Sequence, residues 1–308
     1  MAGFVLLCLP IFGVIGLGWA CTAFRLMPAA TIAAVGHFAF QVALPALLLR
    51  LMAAQPLSEN FEPAFFTGYL ACCLTVFFGT LALARPWQRR GHAAALAAAA
   101  AMGNVGYLGP PLLLPLLGPR SGGPVAMAIM SEVAVVLAIG TVLMAPADPG
   151  AGLRAALRTL RAVALNPVLL AIAAGAACGA LALPFPDPLD RFLAFLGGSA
   201  GPTALFALGG TLGLLRLDRR LLASAAALAV AKLVVYPLLV WLLLGRVLGL
   251  DPFWVQAAVL LAAMPTASNA FVLASRNGTA EREVSAAVLL STVAAAALFP
   301  LTAWLVIR

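Results

Sequence analysis

Charge is what this sequence has least of. Asp, Glu, Lys and Arg make up 9% of its 308 residues, against roughly a quarter in a soluble domain. With 64% hydrophobic residues and a mean hydropathy of +1.09, that scarcity excludes a soluble globular domain and points to an all-α polytopic membrane protein. Lysine occurs once, as Lys232, and histidine twice, as His37 and His92. The five cysteines (Cys8, Cys21, Cys72, Cys73, Cys178) have no metal-ligand spacing and read as free thiols packed as small hydrophobes. No His-Glu-x-x-His, Walker-type glycine loop or Gly-x-Ser-x-Gly is present, and no nucleophile–base pair can be nominated. An enzyme is therefore not expected, nor a metal or cofactor site. The net charge of +8 would suit nucleic acid, but arginines in short loops carry it, and there they act as topology signals. Residues 1–20 lack a basic n-region and read as a first span, not a cleavable signal.

Apolar runs are what the sequence has instead. Ten have the length of a bilayer core: 2–20, 31–51, 63–84, 93–118, 122–145, 164–183, 190–214, 221–245, 253–275 and 284–307. Trp19, Trp87, Trp254 and Trp304 fall at their ends, where an interfacial belt is expected. The odd-numbered loops hold twelve arginines: Arg25, Arg85, Arg89, Arg90, Arg154, Arg158, Arg161, Arg216, Arg219, Arg220, Arg276 and Arg282. The other side holds five: Arg50, Arg120, Arg191, Arg246 and Arg308. The odd loops are therefore expected in the cytoplasm, with both termini outside, in a multi-pass protein of the cell (inner or plasma) membrane.

The longest connection, 146–163, reads as a cytoplasmic linker between a first five-helix repeat (1–145) and a second (164–308). Five spans per half make the two repeats opposite in orientation. Pro10 and Pro45 recur as Pro167 and Pro202, and Gly18 as Gly175, all at one offset. That offset brings two unusual stretches nearly into register. In the fourth segment, Gly103-Asn104-Val105-Gly106-Tyr107-Leu108-Gly109-Pro110-Pro111 combines poor helix formers with two residues that lack a backbone donor. In the ninth, Met264-Pro265-Thr266-Ala267-Ser268-Asn269 does the same. Interrupted spans in matching halves are the sequence mark of a transporter binding site. Helices 4 and 9 are thus expected to be discontinuous, with Pro110 and Pro265 keeping the breaks open and Gly103, Gly106 and Gly109 allowing close approach.

These two stretches, the second extended through Ala270-Phe271-Val272-Leu273-Ala274, resemble the fourth- and ninth-span motifs of the auxin efflux carrier family. Val42-Ala43-Leu44-Pro45-Ala46 and Leu205-Phe206-Ala207-Leu208-Gly209-Gly210 fit as well, so the resemblance runs over nearly the whole chain. It implies a bile-acid/sodium symporter-like fold: a scaffold of segments 1, 2, 6 and 7 beside a core of segments 3–5 and 8–10, in which the discontinuous helices 4 and 9 cross. It implies a secondary carrier of small organic anions, auxin-like acids or dicarboxylates such as malate and malonate, working by alternating access, and a homodimer. The prolines Pro110, Pro111 and Pro115 depart from the pattern and make the second half of the fourth segment helix-poor. A sodium-coupled symporter of the same fold and a non-transporting membrane sensor remain as alternatives.

Asn104 and Asn269 head the candidate site, because an amide offers donors to a carboxylate and half-helix N-termini add partial positive charge. The competing reading is that each caps its own broken backbone. Gly103, Tyr107, Gly109, Pro110, Pro265, Thr266 and Ser268 complete the site around the breaks. Gln41 joins from the second segment, where it shares a helix side with His37 and helix-to-helix hydrogen bonding competes with substrate contact. Glu132 and Lys232 are ionisable residues at mid-span, which are costly and usually functional. They are candidates for proton coupling or for neutralising the anion; the competing reading is purely structural, the two paired with each other or Lys232 snorkelling to the interface. The expected partners are thus a small organic anion, a proton or sodium ion, and the lipid bilayer.

Overall fold

Three-residue and five-residue gaps interrupt helices where the two glycine- and proline-rich stretches lie, and short turns and loops join the other helices of the described chain. The computed structural model describes residues 2–145, 151–183, 185–215 and 221–307. In chain order the helices are α1 (Ala2–Ala23), α2 (Ala29–Ala53), α3 (Pro63–Ala84), α4 (Arg90–Ala101), α5 (Val105–Leu117) and α6 (Pro119–Met144). They continue as α7 (Ala151–Ala164), α8 (Pro167–Ala180), α9 (Asp187–Leu214), α10 (Leu222–Val247), α11 (Pro252–Ala262), α12 (Ser268–Arg276) and α13 (Glu281–Val306). Each of the ten apolar segments carries helix. Six helices (α2, α3, α6, α9, α10, α13) are individually long and apolar enough to cross a bilayer, and joining Ala156–Ala164 to Pro167–Ala180 would make seven. Residues 146–150 of the expected linker and Arg216, Arg219, Arg220 and Arg308 lie outside the described residues.

The chain divides into two compact units, each drawing on both halves of the sequence. The first comprises residues 1–63, 105–127 and 164–214. In it α1 packs along α9, and α8 along the second half of α2. Small residues let these backbones approach. A methyl group added at Gly18 would run into the carbonyl oxygen of Phe206, and one at Gly209 into that of Ile15. Such close contact replaces the hydrophobic drive that lipid does not supply between helices. Arg50 near the end of α2 makes a two-pronged ion pair with Asp190 near the start of α9, with contacts of 2.7 and 3.0 Å.

Residues 105–127 belong to this unit, which corrects the expected grouping of the whole fourth and fifth segments with segments 3 and 8–10. The reason is packing. Tyr107 of α5 stacks on Phe40, and the Pro111 ring lies against Gly201 of α9. The expected helix-poor stretch is also corrected: α5 runs unbroken through Pro110, Pro111 and Pro115. These prolines leave the carbonyls of Gly106, Tyr107 and Pro111 without their i+4 donors. Neighbouring helices hold the turn geometry nonetheless, as membrane helices allow. Pro110 therefore does not keep the break open, and Gly106 and Gly109 lie inside α5.

The second unit comprises residues 64–104, 128–163 and 215–308. Its centre is α4, whose run Ala93, Ala94, Ala95 and Ala97–Ala101 is wholly buried. A helix with so many methyl side chains lets α6, α10, α12 and α13 come close to it. Trp254 is buried here against Phe65, at 5.5 Å between rings, and so does not join an interfacial belt.

Overpacking the α1–α9 seam tests this account. Gly209→Ala is expected to destabilise the folded protein by about 1–3 kcal/mol, read as a lower thermal unfolding temperature in detergent. Gly13→Ala faces open space and is expected to leave it unchanged.

Candidate functional site

The site is built from backbone first. Residues 102–104 follow α4, and residues 263–267 follow α11. The two extended stretches meet as an antiparallel bridge between Gly103 and Thr266. The Asn104 N–H donates to the Pro265 carbonyl at 2.8 Å, and the Ala267 N–H to the Met102 carbonyl at 3.0 Å. The two breaks thus satisfy each other's backbone groups, in keeping with the crossing that the family resemblance implies.

Side chains take the groups the bridge leaves over. The Gly103 N–H donates to Oε2 of Glu132 at 2.9 Å, and the Thr266 N–H to Oγ of Ser291 at 3.0 Å. At the end of α4, the Ala99 carbonyl accepts from the Thr266 hydroxyl and the Ala101 carbonyl from the Cys73 thiol. At the end of α11, the Ala262 carbonyl accepts from Nζ of Lys232. Gly103 is required by the close approach: a Cβ there would lie 3.0 Å from Nζ of Lys232 and 3.2 Å from Oε1 of Glu132.

Around this backbone knot lies a buried polar cluster. Glu132 is 1% exposed and Lys232 fully buried, so the lysine does not reach for the interface. Tyr69 donates its hydroxyl to Oε1 of Glu132 at 3.0 Å. Lys232 lies over the Tyr236 ring, 4.5 Å from its centroid, and the Tyr69 and Tyr236 rings are 5.7 Å apart. Glu132 and Lys232 face the same point at Gly103 but make no direct ion pair. The Tyr236 side chain is fully buried against Tyr69 and Lys232.

Two further polar atoms are left over, and both sit where the sequence pointed. Nδ2 of Asn104 and Oγ of Ser268 are buried with no partner among the described residues. No side chain caps α12, whose N-cap is Ala267. Its first-turn N–H groups, those of Ser268 and Asn269, have no intrahelical acceptor. Asn269 does not cap α12, and Nδ2 of Asn104 is left as a free donor at the break. The geometry offers an unsatisfied amide, a hydroxyl and a helix N-terminus, a donor set suited to a carboxylate.

The remaining sequence candidates lie in the other unit. Tyr107 and Pro110 line a small, partly open apolar cleft there, together with Phe40, Leu44, Pro111 and Gly201. Gly109 is buried in α5 but does not line it. Gln41 and His37 are exposed and make no helix-to-helix hydrogen bond among the described residues. A π-helical turn at Ala39–Ala43 changes the rotation between them, so the i, i+4 expectation does not apply. His92, expected at an interface beside Arg89 and Arg90, lies 3.5 Å from Glu283 at the start of α13. Sequence reasoning missed Tyr69, Cys73, Tyr236 and Ser291. Ser291 and Cys73 carried a usable signal, being polar or polarisable groups in the middle of apolar runs.

The comparisons with known proteins agree with this architecture. The family model for "Membrane transport protein" matches residues 4–305. A protein of Rhizobium meliloti (strain 1021) named "Putative malonate transporter" is 35% identical over 297 residues, covering 95% of this chain and 92% of its own length. By both measures, the chain is a multi-pass membrane protein that belongs to the membrane transport protein family, the auxin efflux carrier-like transporters that its two broken-helix motifs resemble.

Proposed function

We propose that this transporter is a secondary carrier of small organic anions, with short dicarboxylates such as malonate as its cargo. The observation that carries the reading is the pair of buried, unpartnered donors, Nδ2 of Asn104 and Oγ of Ser268, beside the N-terminal end of α12. A carboxylate would complete both hydrogen bonds and interact favourably with the helix dipole. The printed name of the Rhizobium relative supports malonate as the first substrate to try.

In this reading the chain has ten spans in two inverted five-helix repeats, with both termini outside the cytoplasm, and lies in the cell membrane. The contacts support the symmetry. Gly18 meets the carbonyl of Phe206, and Gly175 meets that of Leu49. Residues 18 and 175 are 157 apart in the chain, and so are 49 and 206. In the second unit, Cys73 and Lys232 bond the carbonyls at the ends of α4 and α11. Glu132 and Ser291 accept the N–H groups of the bridged pair, Gly103 and Thr266. Both of these side-chain pairs are 159 apart. Such a repeat suits alternating access, in which one bundle moves against the other around a site at mid-depth.

Uptake of labelled malonate into proteoliposomes tests the function. Saturable uptake is expected. Asn104→Ala and Ser268→Ala are each expected to lower it, because a lost hydrogen bond to a charged group costs about 1.5–3 kcal/mol, roughly tenfold or more. Flux equal to wild type in both variants would remove these residues from the site. Glu132 is proposed as the proton-coupling group. Glu132→Gln is then expected to abolish the response of uptake to an imposed pH gradient, and an unchanged response would reject that role.

A further inference from the structure

Glu132 and Lys232 carry charges that the backbone does not require. The Ala101 carbonyl at the end of α4 is satisfied by a neutral thiol, that of Cys73, while the Ala262 carbonyl at the end of α11 is met by an ammonium. The Thr266 N–H is satisfied by the neutral hydroxyl of Ser291, while the Gly103 N–H is met by a carboxylate. Each charge does a job that a neutral group does at the opposite break, so the pair serves something other than capping.

The surroundings of Nζ indicate what. It sits at the C-terminal end of α11, which bears the partial negative charge of the helix dipole. The face of Tyr236 lies under it, and the Glu132 carboxylate faces the same point at Gly103. A half-helix carbonyl end, a carboxylate and an aromatic face are groups that favour a monovalent cation within a membrane carrier. We propose that the Lys232 ammonium is a built-in counter-cation, filling the position that a free monovalent cation would otherwise hold, so that anion transport here needs no sodium. The sodium-free transport rests on the carrier reading above; the occupancy of the position does not.

Lys232→Ala tests the occupancy. The protein in nanodiscs is unfolded thermally in matched concentrations of sodium, potassium, methylammonium and choline chloride. Wild type is expected to unfold at one temperature in all four. Lys232→Ala is expected to show a saturable upward shift with a small cation but not with choline, and Lys232→Ala/Glu132→Gln is expected to lose that shift. In proteoliposomes, the same small cation should raise uptake by Lys232→Ala and leave wild type unchanged. Lys232→Met, whose side chain fills the position without charge, should fold and take up anion on the order of tenfold more slowly, with no rescue. A saturable sodium-dependent shift in wild type overturns the proposal whether or not the variants fold. So does a folded Lys232→Ala that is indifferent to every small cation, or a Lys232→Met that transports like wild type. Wild type that carries no anion under any gradient would instead reject the carrier reading, while the thermal shifts would still report the cation position.

A separate observation concerns α7. Arg154, Arg158 and Arg161 form one exposed stripe, and the helix has no acid in its first turn. Leu153, Leu157 and Leu160, 67%, 59% and 66% exposed, form a second stripe. At about 100° per residue the two stripes are roughly 100° apart, and the buried Thr159 faces the protein between their far edges. We infer that α7 lies in the membrane interface, its leucines in the acyl boundary and its arginines on anionic lipid headgroups. Charge complementarity and the adjoining apolar helices favour this occupant. Leu157→Cys carrying an environment-sensitive fluorophore is expected to shift to the blue in nanodiscs, more in anionic than in zwitterionic lipid. Arg154→Gln/Arg158→Gln/Arg161→Gln in the same background should abolish the lipid difference. A fluorophore that reports water in both lipids overturns the inference, as does protection that persists in detergent-free complexes with a soluble protein partner only.

Discussion

Breaking a helix inside a membrane releases backbone N–H and C=O groups where there is no water to receive them, and each orphan costs several kcal/mol. The second unit is arranged around meeting that cost twice at one place. The two breaks pair with each other through the Gly103–Thr266 bridge, and what the bridge cannot reach is taken by Glu132, Ser291, Cys73, Thr266 and Lys232. The requirement spreads outward from there. Gly103 must lack a side chain because the ammonium and carboxylate occupy that space, and α4 must be nearly all alanine for four helices to bring their polar groups within reach.

Polar groups in such a knot are ordinarily all satisfied, since an unpaired buried donor forfeits its hydration. That makes the exceptions informative. Asn104 Nδ2 and Ser268 Oγ are buried and have no hydrogen-bond partner among the described residues. Both lie by the donor-rich end of α12, whose partial positive charge suits an anion, while Nζ of Lys232 meets the carbonyl end of α11, whose partial negative charge suits a cation.

The first unit solves a different problem, holding helices together without a hydrophobic drive. Its answer is close backbone approach at Gly18, Gly175 and Gly209, with the polar Arg50–Asp190 pair near the helix ends. The same device explains why α5 keeps its course through three prolines: the rings of Pro110 and Pro111 are packed among α2 and α9, and packing outweighs the missing hydrogen bonds.

By itself, the sequence determined the membrane class, the positions of the helical segments and both breaks, and it singled out the mid-span polar residues Asn104, Ser268, Glu132 and Lys232. Hydropathy, glycine and proline content and the cost of a buried charge are properties of short stretches, and short stretches are what a sequence displays. Only the tertiary structure decided where the fourth segment divides, since Pro110 breaks a helix by local rule and is kept helical by its neighbours. It also decided that Lys232 bonds a carbonyl rather than Glu132, that Trp254 is interior, and that Tyr69, Cys73, Tyr236 and Ser291 join the site. These depend on which helices meet at a given depth, and that is set by long-range packing between segments up to some two hundred residues apart, which no local pattern of residues records.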